Sequence, residues 1–199
     1  MIAMPEHTIL ISPTGDPDIG LLKQVGREIR RVFGYESETR PLLESLNFSF
    51  DPGRSQYHST PILEKLASLT PATSIKVFAI TDVDLFIPIL THVYGEAQLG
   101  GKACIVSIHR LKEGLPPLQR IRAFRQRVAK EAIHELGHTF GLRHCKEHSC
   151  IMHYCRSVRD VDEKSDQLCR YCKIMLEDEL GRLRKRCVSL SQPSCGMPP

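Results

Sequence analysis

The sequence predicts an α+β fold: a twisted mixed sheet with long helices, followed by a small cysteine-rich segment. Three observations carry that expectation. Short apolar runs alternate with helix-periodic runs over the first two-thirds of the chain, one long helical stretch ends on a cluster of histidines, and seven of the eight cysteines come after it.

The elements follow in order. Residues 8–12 form a short apolar run that predicts a strand, and Pro13-Thr14-Gly15-Asp16 is a turn and helix-cap cluster. Ile19, Leu22, Val25, Ile29 and Val32 recur at helical spacing until Gly34 ends the segment. A second strand is expected at about 39–44, and a loop rich in Pro, Gly and Ser at 51–59 precedes a short helix at about 60–69. Residues 75–80 and 104–108 read as buried strands, with a Gly-containing bulged edge strand between them at 94–101. Pro116 and Pro117 are expected to open a long helix reaching about Leu142, with Ile121, Phe124, Val128 and Ile133 on its apolar side. A last helix is expected at about 168–183, and the tail from Ser189 is expected to be loose.

At 199 residues the chain suits one domain, split into an upper lobe at about 1–141 and a lower lobe at about 142–188 around a cleft. The net charge of +4 is too weak to imply nucleic acid. The basic run Arg182, Arg184, Lys185 and Arg186 reads as a solvated helix end. No stretch approaches the ~18 apolar residues that span a bilayer, so no membrane partner is expected. Met1 to His7 includes Pro5 and Glu6, and Ile9-Leu10-Ile11 is too short for a signal core. The expectation is a cytoplasmic monomer. A reducing compartment favours cysteines as metal ligands over disulfides.

The decisive string is His134-Glu135-Leu136-Gly137-His138-Thr139-Phe140-Gly141-Leu142-Arg143-His144. Residues four apart on a helix face nearly the same way, so His134 and His138 can share one zinc ion. Gly141 permits the reversal that brings His144 round as a third ligand. Three neutral imidazoles leave the metal one open position, where a water becomes acidic enough to ionise near neutrality. Glu135 then stands beside that water as a general base. The extended spacing is the signature of metzincin peptidases.

Cys150-Ile151-Met152-His153-Tyr154 resembles the Met-turn of that clan, which sets a methionine beneath the metal. Tyr154 follows as a phenol within reach of the metal or the oxyanion. Cys145, Cys150, Cys169 and Cys172 could supply four thiolates to a closed, structural site. Cys155, five residues after Cys150, is an alternative ligand for one of them. Cys104 reads as a buried small apolar residue, and Asp82 and Asp84 as turn caps. His148 and His153 lie near the site without being expected as primary ligands.

This combination of zinc motif, adjoining cysteine, Met-turn and later Cys-x-x-Cys resembles the archaemetzincin family. The resemblance extends upstream through residues 80–85 and Leu99-Gly100-Gly101, although the spacer from Met152 to Cys169 is 16 residues, one shorter than the family pattern. It implies a metzincin-like zincin fold with a zinc-stapled lower lobe. It also implies two zinc ions, one catalytic on the three histidines and one structural on the four cysteines. The edge strand near 98–102 should line the cleft and accept an extended peptide by backbone pairing.

The resulting expectation is a zinc metallopeptidase acting on peptides or proteins, with an aminopeptidase-like subtype as one form. The competing reading is a non-catalytic or gated zinc-binding interaction module. Glu135 favours the enzyme, because a purely structural metal site needs no base beside it.

Overall fold

The computed structural model describes residues 7–115 and 120–190, the side chains of 186–190 excepted. Its elements are β1 (Thr8–Pro13), α1 (Ile19–Phe33), β2 (Ser37–Thr39), β3 (Phe50–Asp51), β4 (Gln56–His58), α2 (Ser59–Leu69), β5 (Ser74–Thr81), β6 (Leu85–Phe86), β7 (Gly95–Ala97), β8 (Ala103–Ser107), α3 (Arg120–Thr139), α4 (Val158–Glu163) and α5 (Arg170–Leu190).

The main sheet has the order β2-β1-β5-β8-β7. Its first four strands are parallel, and β7 closes the edge antiparallel to β8. Strands covered on both faces are apolar throughout rather than alternating, which is why β5 and β8 are buried along almost their whole length. Successive side chains still part to opposite faces. Ile9, Ile11, Phe78, Ile80, Cys104 and Val106 meet the helices α1 and α3. Leu10, Val77, Ala79, Ala103 and Ile105 meet α2.

Helix α1 begins where the Asp18 carboxylate accepts from the Gly20 N–H at 3.0 Å and ends on left-handed Gly34. The long helix α3 lies beside it and buries Val128, Ala132, Ile133 and Leu136. Ile121, expected on that buried side, is exposed to solvent. The described part of α3 starts at Arg120; Pro116 and Pro117 lie outside the described residues.

Four further expectations need correction. The second strand is Ser37–Thr39 and not 39–44: β2 pairs with Ile9–Ile11, and the chain then leaves the sheet. The loop at 51–59 contains an antiparallel pair, β3 and β4, with β4 running parallel to β6 in a small second sheet. Asp84 is no simple turn cap, since it accepts two 2.8 Å bonds from Arg110 and a third from Gln56. The final helix starts at Arg170 and runs to Leu190, past the point where a loose tail was expected.

Helix α4 was not anticipated. It is short, and its start is fixed by a capping box between Ser157 and Asp160. Helix α3 holds it by charge. Arg127 gives Asp162 two bonds of 2.7 and 2.6 Å, and Lys130 donates to the carbonyls of Val161, Asp162 and Lys164. No helix among the described residues is long and apolar enough to cross a membrane.

Candidate metal centre

Helix α3 carries His134 and His138 one turn apart and then stops in a tight reversal. The Gly141 N–H bonds to the His138 carbonyl at 2.9 Å, and the Leu142 N–H bonds to the Gly137 carbonyl at 3.0 Å. This paired closure, with Gly141 at φ 85°, is a Schellman motif that a Cβ-bearing residue would strain. It turns the chain back so that His144 meets the helix pair. The ring centroids of His144 lie 5.3 Å from those of His134 and 4.8 Å from those of His138.

The hydrogen bonds fix which nitrogens face inward. His134 Nδ1 donates to the Ile151 carbonyl at 2.9 Å, and His138 Nδ1 donates to the Leu142 carbonyl at 2.7 Å. Their Nε2 lone pairs are thereby left facing each other, 3.2 Å apart. Two bare acceptors at that distance repel unless a cation lies between them. A tetrahedral ion with ~2.1 Å bonds would set neighbouring ligand nitrogens roughly 3.4 Å apart, so the residues present fit a zinc ion. Burial pushes the His134 imidazole well below its ordinary range, with Lys164 adding to the effect. His138 and His144 are lowered too, chiefly by burial. Neutral imidazoles are the form that binds metal.

Met152 is fully buried below this group. It packs where a Cβ on Gly137 would come within 2.6 Å of its sulfur. The Tyr154 ring stands 5.0 Å from that of His144 at the mouth of the site. Glu135 is buried, and burial pushes its carboxyl well above the ordinary carboxylate range. The neighbouring Glu131 adds to this and Lys164 opposes it.

The three histidines, Glu135 and Tyr154 line one cleft of about 810 Å³, which also includes Tyr94, Gly95, Glu96, Arg143, Cys155 and Arg156. The edge strand reaches the cleft through residues 94–97 and Leu99, somewhat earlier in the chain than the expected 98–102. Beyond it, 98–101 turn back, and the Gly100 N–H ties this turn to the His138 carbonyl at 2.9 Å. Lys76 strengthens the tie, donating at 2.7 Å to both the Gly101 and Thr139 carbonyls.

The four cysteines Cys145, Cys150, Cys169 and Cys172 come together, their sulfurs within 4.8 Å of one another. The Cys169 N–H donates to Cys150 Sγ at 3.3 Å. Burial raises Cys150 and Cys172, and in Cys172 the nearby Cys150 adds to it. Cys169 goes the other way: burial raises it, but hydrogen bonds from the Cys172 backbone and the neighbouring thiols outweigh that and lower it. Four sulfurs this close together offer a dication a closed tetrahedral set, so this group also fits a metal. Cys155 is not in the group. It lies on the cleft wall, its thiol pushed up to about 11 by burial.

One feature of the site had no expectation attached. Lys164, after α4, inserts a fully buried ammonium against Glu131 at 2.7 Å. Glu131 could have been found from the motif, since it sits four residues before Glu135 and hence on the same side of the helix. Lys164 carries no local signal.

Residues 49–178 match the model for peptidase family M54. The chain belongs to that family, the archaemetzincins. It is 36% identical to an archaemetzincin of Methanocaldococcus jannaschii over 85% of this chain and 93% of that protein. It is likewise 36% identical to one from Halobacterium salinarum over 82% of this chain and 95% of that protein. The archaemetzincin structure from Methanopyrus kandleri superposes with a TM-score of 0.80 at 29% identity, covering 92% of this chain and all of that one. That from Archaeoglobus fulgidus, complexed with malonate, has a TM-score of 0.69 at 30% identity, covering 84% and 99%. The protein is therefore a metallopeptidase of this family with a metzincin-like fold, and it carries histidine and cysteine groups able to bind metal.

Proposed function

We propose that this archaemetzincin hydrolyses peptide bonds at a zinc ion held by His134, His138 and His144, with Glu135 as the general base. The observation that carries the reading is the pair of inward-facing Nε2 atoms 3.2 Å apart, with a buried carboxylate on the same helix lining the same cleft. Bound zinc supplies Lewis acidity, which polarises a carbonyl and acidifies water. Glu135, held in a water-poor pocket, accepts the proton of the attacking water and passes it to the leaving amine. The outer edge of β7 is unpaired in the sheet and receives the substrate backbone as an added strand. Tyr154 offers its phenol to the developing oxyanion, and Met152 supports the histidines from below.

A second, structural zinc belongs on Cys145, Cys150, Cys169 and Cys172, in a reducing, cytoplasmic setting where the thiolates stay available. On this reading residues 1–141 and 142–188 form the two walls of the cleft, and one chain suffices. Glu96, a cleft carboxylate held by the Ser59 and Thr60 hydroxyls, is the group that would receive a free amine in the aminopeptidase-like form of the reaction.

A digest of a diverse peptide library tests the reading. Zinc-loaded protein should cleave, cleavage should stop on chelation, and readded zinc should restore it. Zinc-loaded protein that cuts no peptide would favour a non-catalytic zinc module instead.

A further inference from the structure

Arg30, Arg31, Arg40, Arg110, Arg125, Arg127, Arg159 and Arg182 each have a carboxylate partner. Arg143 and Arg156 have none, and among the unpaired arginines of the described residues they are the ones that belong to the histidine cleft. Both are exposed on the wall of the histidine cleft, and neither guanidinium has a carboxylate or hydrogen-bond partner among the described residues.

Their backbones are nonetheless held in place. Arg143 lies between His144 and Leu142, whose carbonyl accepts from His138 at 2.7 Å. The Arg156 N–H donates to the Asp160 carboxylate at 2.7 Å. The carboxylates that share the cleft make no ion pair with either arginine: Glu131 pairs with buried Lys164, Glu96 accepts from the Ser59 and Thr60 hydroxyls, and Glu135 is buried. Two guanidiniums without a carboxylate partner therefore line the cleft that holds the histidines. A guanidinium presents a fork of donors matched to a carboxylate, so it selects that group far more strongly than an isosteric amide.

We propose that Arg143 and Arg156 are specificity residues that select peptides with a carboxylate next to the bond being cut. This rests on the peptidase reading above. The carboxylate is either an acidic side chain or the free carboxyl terminus of a short peptide. Both present the same chemistry to the two arginines.

Binding separates this inference from catalysis. Zinc-loaded Glu135→Gln protein is titrated with short peptides in three forms: a glutamate peptide with an amidated end, its glutamine counterpart, and the glutamine peptide with a free carboxyl end. At least one carboxylate form should bind about tenfold tighter than the amidated glutamine peptide, the worth of one charge-assisted hydrogen bond. Whichever form shows the preference identifies the source of the carboxylate. Adding Arg143→Gln or Arg156→Gln should cut the preference several-fold, and adding both should abolish it. Arg40→Gln, on the far edge of the sheet, should leave it intact. Equal binding of all three peptides overturns the proposal. So does a preference that survives in the double arginine variant, because the carboxylate would then be sitting on the metal. Wild type that cuts peptides with no acidic preference sinks the arginine assignment alone. Wild type that cuts nothing while the binding preference stands sinks the peptidase reading alone.

Discussion

A Cβ placed on Gly95 would stand 2.6 Å from Glu135 Cγ and 2.8 Å from its Oε1. The edge strand thus approaches the proposed base so closely that only glycine fits, with the Ile105 carbonyl blocking the other side at 2.7 Å. Gly95→Ala must therefore push the Glu135 carboxylate aside. The overpacking should cost about 1–3 kcal/mol of stability. Turnover should fall tenfold or more while zinc stays bound, because a base that moves by an ångström no longer meets its proton. Kinetics and metal analysis of the one variant check both outcomes.

The cysteine group leads to a prediction about folding. Helix α5 begins within its Cys169–Cys172 pair, and metal binding to such a site is itself folding free energy. Cys169→Ser should reduce zinc from two ions per chain to one and lower the melting temperature by about 10 °C. Cys155→Ser should do neither. Elemental analysis alongside thermal melts decides the matter, and an unchanged zinc content in Cys169→Ser would rule the site out.

Much of this arrangement could be read in the sequence, and the limits have physical causes. The three histidines, Glu135 and Gly141 are spaced by local geometry, one helical turn and one tight reversal, so their convergence follows from short-range rules. The four cysteines, which meet across helix α4, were legible only as a residue type and a Cys-x-x-Cys spacing. The long buried strands β1, β5 and β8 announced themselves as apolar runs. What escaped notice was short or non-local. Strands β3, β4 and β6 are two or three residues each, too short to show a period. Ile121 kept helical spacing but had nothing to pack against. Lys164 meets Glu131 across 32 intervening positions of the sequence, and Gly95 meets Glu135 across 39.

The Lys164–Glu131 pair sits directly behind the proposed base with almost no solvent around it. Removing one partner strands the other's charge. Lys164→Met should cost about 3–5 kcal/mol in chemical denaturation. Lys164→Met combined with Glu131→Gln should recover a large part of that loss. A double variant as unstable as the sum of the two singles would show that the groups do not act as a pair.

Asp84 sets a pH dependence. Burial pushes its carboxyl up, but hydrogen bonds from Arg110 and Gln56 outweigh this and hold it below the ordinary range. A carboxyl lowered on folding adds stability above its unfolded value near 3.9, and that stability is lost as pH falls through the folded value. Asp84→Asn should thus be less stable than wild type at pH 6, and the gap should close as the pH drops below about 4. Urea midpoints of the two proteins over pH 6 to 2 measure the gap, and a gap that stays constant would remove Asp84 from the account.

The central claim is that Glu135 is the proton acceptor at a metal held by the three histidines. Glu135→Gln keeps the side chain's shape and leaves His134, His138 and His144 untouched. Peptide turnover should therefore fall by ~10² to 10⁴-fold, the usual worth of a general base, with zinc content and peptide binding preserved. The most direct measurement is the turnover of this variant against wild type on one cleaved peptide at matched zinc loading. Turnover within a few-fold of wild type would contradict the account.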